Sequence, residues 1–117
     1  MNPQIVNELI DSAKLYQNKN EINLIQKAID FAKKAHYQQF RKSGDPYYYH
    51  PVEVAKILTE IKLDNSTIAS GLLHDTIEDT SATLKDIKDN FGNEIANLVN
   101  GLTKINSFSL KVNNLKL

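Results

Sequence analysis

The sequence predicts an all-α domain, a partial helical bundle of about six helices, and three observations carry that expectation. Apolar residues recur at three- and four-residue intervals nearly throughout, capping and breaking residues punctuate the chain, and no segment alternates as a strand would. With 117 residues, there is room for one core of modest size and none for a second folded domain.

Each element has its own signal. Ile5, Leu9, Ala13 and Tyr16 form a stripe behind Pro3, a residue suited to a first turn, so an N-terminal helix is expected within residues 1–20. The polar run Asn18-Lys19-Asn20 should end it. A second stripe through Ile22, Ile25, Ile29, Ala32 and His36 predicts a helix of roughly four turns stopping near Gln38 or Phe40. His36 continues that apolar stripe and reads as a packed helix residue outside any site.

Ser43-Gly44-Asp45-Pro46 is the strongest turn signal in the chain and sets a loop from about Arg41 to His50. Pro51 fits the first position of a third helix bearing Val54, Ile57, Leu58 and Ile61. That places His50 just outside the helix, pushed toward extended geometry by the proline after it and able to point into a cleft. Asp64 or Ser66 should cap a fourth helix with Ile68, Leu72 and Leu73 inward and His74 and Asp75 near its end. Thr83-Leu84-Lys85-Asp86 resembles a capping box opening a short helix closed by Phe91-Gly92. Ile95, Leu98, Val99 and Leu102 mark a sixth helix. Periodicity fades after Ile105, so residues 106–117 read as an irregular tail.

Composition excludes several classes of function. Fourteen basic and 14 acidic side chains balance, which argues against DNA, RNA or a membrane surface held by bulk charge. Without cysteine there is no thiolate metal site and no cysteine nucleophile, so any metal must rest on His, Asp or Glu. No apolar run approaches the roughly 18 residues that span a bilayer, and a cytoplasmic protein is the expectation. Arg41 is the only arginine, which gives it more weight than any single lysine.

Chemistry concentrates at His74-Asp75 and Glu78-Asp79. One helical turn separates the pairs, so His74 lies over Glu78, and Asp75 lies near both Glu78 and Asp79. Three carboxylates this close repel unless a cation, a proton or a basic partner sits among them, and a divalent metal is the simplest such cation. His50, His74 and Asp75 supply two nitrogens and one oxygen, a set that suits manganese, iron or zinc better than magnesium or calcium. Three ligands leave positions open for water and substrate. Glu78 and Asp79, one turn on, could orient or deprotonate an attacking water. Arg41-Lys42-Ser43-Gly44 brings two cations, a hydroxyl and turn amides suited to an anion, although alone it is an ordinary solvated loop. Tyr47-Tyr48-Tyr49 suits either stacking on a base or packing between helices.

At this point the chain resembles the HD-superfamily hydrolase domain of bifunctional RelA/SpoT enzymes and their small single-domain relatives. The matching strings are Ala35-His36, Phe40-Arg41-Lys42-Ser43-Gly44-Asp45-Pro46-Tyr47, His50-Pro51, Gly71-Leu72-Leu73-His74-Asp75, Glu78-Asp79-Thr80, Phe91-Gly92 and Gly101-Leu102-Thr103-Lys104. The resemblance implies an HD hydrolase domain over residues 21–105 and a manganese-dependent enzyme that removes pyrophosphate from the 3′ position of (p)ppGpp. It further implies His50, His74 and Asp75 as metal ligands, Glu78 and Asp79 as the pair that activates water, and Arg41, Lys42 and Ser43 as the loop holding the guanosine end.

One departure from the family stands out. There, a further Asp in an Asp-x-x-His-Asn string closes the metal site, and this sequence has no such string and no acid after Glu94. The implied domain is thus incomplete on its C-terminal side. Apolar faces at Leu72-Leu73 and Leu98-Val99 should then lie partly uncovered, and a homo-oligomer or a complementing fragment is the expected partner besides the nucleotide. The alternatives are a non-catalytic remnant that binds guanine nucleotide or a protein, and another metal-dependent nucleotide phosphohydrolase of the HD type.

Overall fold

The structure, a computed structural model, describes the backbone of residues 2–115 and the side chains of residues 2–105. Six helices follow in order: α1 Ile5–Lys14, α2 Lys19–Ala35, α3 Tyr49–Glu60, α4 Asn65–Asp79, α5 Leu84–Phe91 and α6 Asn93–Leu115. Among the described residues the only β feature is an isolated antiparallel bridge between Phe40 and Pro46. The all-α expectation holds.

Local chemistry sets most of the boundaries. Thr83 and Asp86 form the capping box read from the sequence, and Gly92, at φ 93°, closes α5 in a conformation that side chains disfavour. Asp64 caps α4 by accepting the Thr67 N–H. A second capping box, unread in the sequence, moves the start of α2. Asn18 accepts the Glu21 N–H at 2.9 Å while Glu21 Oε1 accepts the Asn18 N–H at 2.9 Å, so the polar run assigned to the end of α1 instead opens α2.

Two further expectations are corrected. His50 lies inside the first turn of α3, not before it in extended backbone, and Pro51 sits third in the helix. The first turn has no intrahelical acceptors for its N–H groups, so the proline removes nothing there and α3 can begin two residues earlier. The segment after Ile105, read as irregular, continues α6 as far as Leu115. It contains neither glycine nor proline, so faded periodicity was no signal of a break.

Helix α4 is the centre of the bundle, packing against α2, α3 and α6. Ile68, Ala69, Gly71, Leu72 and Leu73 are buried along it, and they meet Ile25 and Ile29 of α2, Val52 and Ala55 of α3 and Val99 of α6 in one core. At Gly71 an added Cβ would lie 3.2 Å from Leu58 Cδ1, which measures how closely α3 approaches. Of the faces expected to lie partly uncovered, Leu72, Leu73 and Val99 are fully buried within the chain itself, while Leu98 is exposed. Among the α6 apolar residues whose side chains are described, Leu98 and Ile105 expose large surface, at 40% and 61%.

Helix α1 covers the far side. Tyr16 and Gln17 both donate to the Leu63 carbonyl, and Thr59 Oγ1 donates to Ser12 Oγ at 2.7 Å, fastening α1 to α3 and to the turn before α4. Among the described residues no helix is long and apolar enough to cross a membrane.

Since α4 is buried on several sides, a cavity at its centre has little room to collapse. Leu72→Ala should cost about 2–5 kcal/mol of unfolding free energy. Urea denaturation followed by circular dichroism measures it, and a loss below about 1 kcal/mol would contradict the central placement of α4.

Candidate functional site

The last turn of α4 departs from the apolar pattern of the rest of the helix. His74, Asp75 and Glu78 each present a ligand atom, and these atoms lie within 4.8 Å of one another. The cause is the helical step: residues three and four apart share a face, as the sequence spacing required. Asp75 is nearly buried at 9% exposure, His74 is half-buried, and Glu78 and Asp79 are exposed.

His74 is oriented by its own helix. Its Nδ1 lies 2.8 Å from the Gly71 carbonyl, which can only accept, so Nδ1 carries the proton and Nε2 faces Asp75 Oδ1 at 3.0 Å. The hydrogen bond to the Asp75 carboxylate holds His74 above the ordinary 6.5 against burial, which works the other way, and the Gly71 carbonyl and the charge of Glu78 add to the rise. For Asp75, burial pushes the carboxyl up. The hydrogen bond from His74 and the charges of His74, His50 and His36 outweigh it and leave the group below 3.8.

This donor set fits a divalent cation. A histidine whose Nδ1 is tied to a backbone carbonyl and whose Nε2 faces carboxylates is the usual arrangement of a metal-ligating imidazole. His74 Nε2, Asp75 and Glu78 would hold the ion. When bound, it would supply positive charge to polarise a phosphoryl oxygen and acidify a water. The mixture of nitrogen and carboxylate oxygen does not select one metal over its neighbours.

The sequence-predicted residues fall into three places. His74, Asp75 and Glu78 gather as one cluster. His50 is not a member of that cluster, although it lies near enough to bear on Asp75, and its ring stands 6.5 Å from that of Tyr47. Arg41, Lys42 and Ser43 line a separate cleft of about 580 Å³ together with Phe40 and Tyr47. The Phe40–Pro46 bridge and the bonds from Arg41 N to Asp45 O and Gly44 N to Arg41 O, each 2.9 Å, fix that loop.

Tyr47 joins the cleft to the carboxylates. Its hydroxyl donates to Asp79 Oδ2 at 3.1 Å while its ring lines the cleft. Burial first, and then the charges of Asp75 and Asp79, push the phenol up to about 12, so it remains a donor across the neutral range. The tyrosine run therefore divides: Tyr48 and Tyr49 pack edge to face with centroids 5.1 Å apart against the core, and Tyr47 serves the site. His36 is buried at 2%, as its stripe implied, but its ring lies 4.7 Å from that of Tyr47 and acts on Asp75, so it belongs to the surroundings of the site. Nothing in helical periodicity distinguishes a histidine packed on a leucine from one packed on a site tyrosine.

The pH dependence follows from these directions. The raised His74 contributes stability that is complete below 6.5 and fades as pH rises through its folded value. The lowered Asp75 contributes above 3.8 and fades as pH falls through its own. Without metal, the pair should therefore stabilise the fold most between those values. Imidazole NMR should place His74 above 6.5, and Asp75→Asn should bring it down; an unmoved resonance would mean that the 3.0 Å contact is not made in solution.

The HD domain model matches residues 28–113. The chain is 51% identical over 94 residues to a GTP pyrophosphokinase of Myxococcus xanthus, covering 80% of this chain and 12% of that protein. It is 50% identical over 103 residues to the GTP pyrophosphokinase of Brucella melitensis, 88% of this chain and 14% of that one. A guanosine-3′,5′-bis(diphosphate) 3′-pyrophosphohydrolase of Aquifex aeolicus is 49% identical over 87 residues, 74% of this chain and 12% of that protein. The chain thus spans a small part of the length of these RelA/SpoT-type relatives. The chain belongs to the HD domain family, in its RelA/SpoT-type branch.

Proposed function

We propose that this domain binds (p)ppGpp and hydrolyses it at the 3′ position, with water adding to the phosphorus so that pyrophosphate leaves and GDP or GTP remains. The observation that carries the reading is a metal-type donor cluster at the end of α4 with a basic cleft tied to the same helix end, through Tyr47, which lines the cleft and donates to Asp79. Arg41 and Lys42 in the cleft suit the charge of a nucleotide, with Ser43 as a further hydrogen-bond partner. His74, Asp75 and Glu78 suit a divalent cation, manganese by family expectation, with His50 joining them in the ligand set. Glu78 orients the attacking water and Asp79, outside the cluster, takes its proton. The name of the Aquifex aeolicus relative supports the same reaction.

A second reading rests on His50. Because it stands outside the cluster of His74, Asp75 and Glu78, the metal set is open on that side, which favours nucleotide binding without turnover.

One assay separates the two readings. Purified protein with manganese and ppGpp should release GDP and pyrophosphate, resolved by ion-exchange chromatography, above a His74→Ala control. Asp79→Asn should lower the rate by about 10²–10⁴-fold, as expected for loss of a general base. Calorimetric binding of ppGpp with no product would establish the second reading, and neither binding nor product would overturn both. Arg41→Ala should weaken ppGpp binding by about tenfold or more, the size of one lost charge-assisted hydrogen bond.

A further inference from the structure

Asp79 occupies an unfavourable position for a group with a precise task. It is exposed and is the last residue of α4, followed by Thr80 in extended backbone. A carboxylate at a helix C-terminus faces the negative end of the macrodipole, and the last carbonyls of a helix have no intrahelical donor. Left to itself, such a side chain would sample several rotamers.

Two side chains from outside α4 reach it. Gln39 Nε2 donates to the Asp79 backbone carbonyl at 3.0 Å, and Tyr47 Oη donates to its carboxylate Oδ2 at 3.1 Å. One buried ring braces both. His36 Nδ1 lies 2.9 Å from Gln39 Oε1, and because the Gln39 amide nitrogen already donates to Asp79, its oxygen is the acceptor and His36 the donor. The His36 ring also lies against that of Tyr47, with centroids 4.7 Å apart. Backbone bonds close the assembly: Gln39 N donates to His36 O at 2.9 Å, and Tyr47 N to Gln39 O at 2.8 Å.

The chain accepts strain to build it. Gln38, between His36 and Gln39, has φ 63°, a left-handed conformation that is unfavourable for a non-glycine residue. Such a residue persists where its surroundings over-determine it. Here it lies in the turn that follows α2, in which Gln39 N returns to His36 O.

We propose that Tyr47 and Gln39 are positioning residues for Asp79, fixing its carboxylate and its backbone respectively, with His36 as the shared brace. With Oδ2 held by Tyr47, one defined oxygen, Oδ1, remains for the water. The proposal rests on the reading of Asp79 as the proton acceptor. It adds that the base of the Arg41–Ser43 loop and the end of α4 are one mechanical unit, so the nucleotide cleft and the reacting carboxylate keep a fixed separation.

Tyr47→Phe keeps the ring against His36 and removes only the hydroxyl; Gln39→Ala removes the other tie. In the manganese-loaded protein each should lower kcat by about tenfold, the effect of one hydrogen bond. The KM for ppGpp should stay within about twofold, since Tyr47→Phe keeps the ring that lines the cleft and Gln39 does not line it; the manganese affinity should hold as well, since neither residue belongs to the donor cluster. A raised KM at unchanged kcat would overturn the proposal by making Tyr47 a substrate contact. Carboxyl ¹³C NMR of the metal-free protein supplies a readout that needs no turnover. The Asp79 resonance should move in both variants while that of Glu78 stays in place. If wild type releases no product but Asp79 moves selectively, the hydrolase reading fails and the brace stands. Unmoved Asp79 resonances would overturn the brace whatever the activity.

Discussion

Everything in this domain depends on α4 being buried along its length and yet ending in charge. Ile68, Leu72 and Leu73 make it the common wall for α2, α3 and α6, which fixes its position and rotation to the precision of a packed core. His74 and Asp75 follow in the next turn with no break in the helix, so the same packing that holds Leu73 also holds them. A ligand set built on the end of a rigid, central helix loses little freedom when it meets a cation. The hydrogen bond from His74 to the Gly71 carbonyl extends that rigidity to the imidazole itself.

The second half of the site is organised on a different principle. Arg41, Lys42 and Ser43 lie on a loop, where packing cannot supply order, and hydrogen bonds supply it instead. A β-bridge of one residue pair, a left-handed Gln38 and a brace of His36, Gln39 and Tyr47 hold the loop against the end of α4. Polar ties of this kind cost little when exposed and gain strength where buried, which suits a joint between a core helix and a solvent-facing cleft. The exposed carboxylates Glu78 and Asp79 lie between the two regimes, one in the donor cluster and one tied to the loop.

Charge balance also acts locally. With 14 acids and 14 bases the chain has no net field to steer an anionic nucleotide. For the proposed nucleotide, attraction would come from the pair Arg41-Lys42 within the cleft, offset by the carboxylates at the end of α4. That opposition has a use: a site that gathers both signs favours a ligand that brings its own negative charge and a cation together.

The sequence by itself determined the helices, their caps at Asp64 and Thr83, and the gathering of His74, Asp75 and Glu78, because each depends on residues within about four positions of one another. Its errors were local too. The box at Asn18 and Glu21 opens a helix where the polar run suggests an end, α3 starts before the proline that suggests its first position, and a segment without breakers stays helical, since propensity alone does not say which of two compatible boundaries packing will select. What only the tertiary structure decided is the company each side chain keeps across the chain. His36 and Tyr47 are 11 positions apart and Tyr47 and Asp79 are 32 apart, so no periodicity links them. The same holds for His50, whose distance from the cluster depends on how α3 crosses α4 at Gly71 and Leu58. Local spacing chose the groups, and the burial of α4 chose which of them meet.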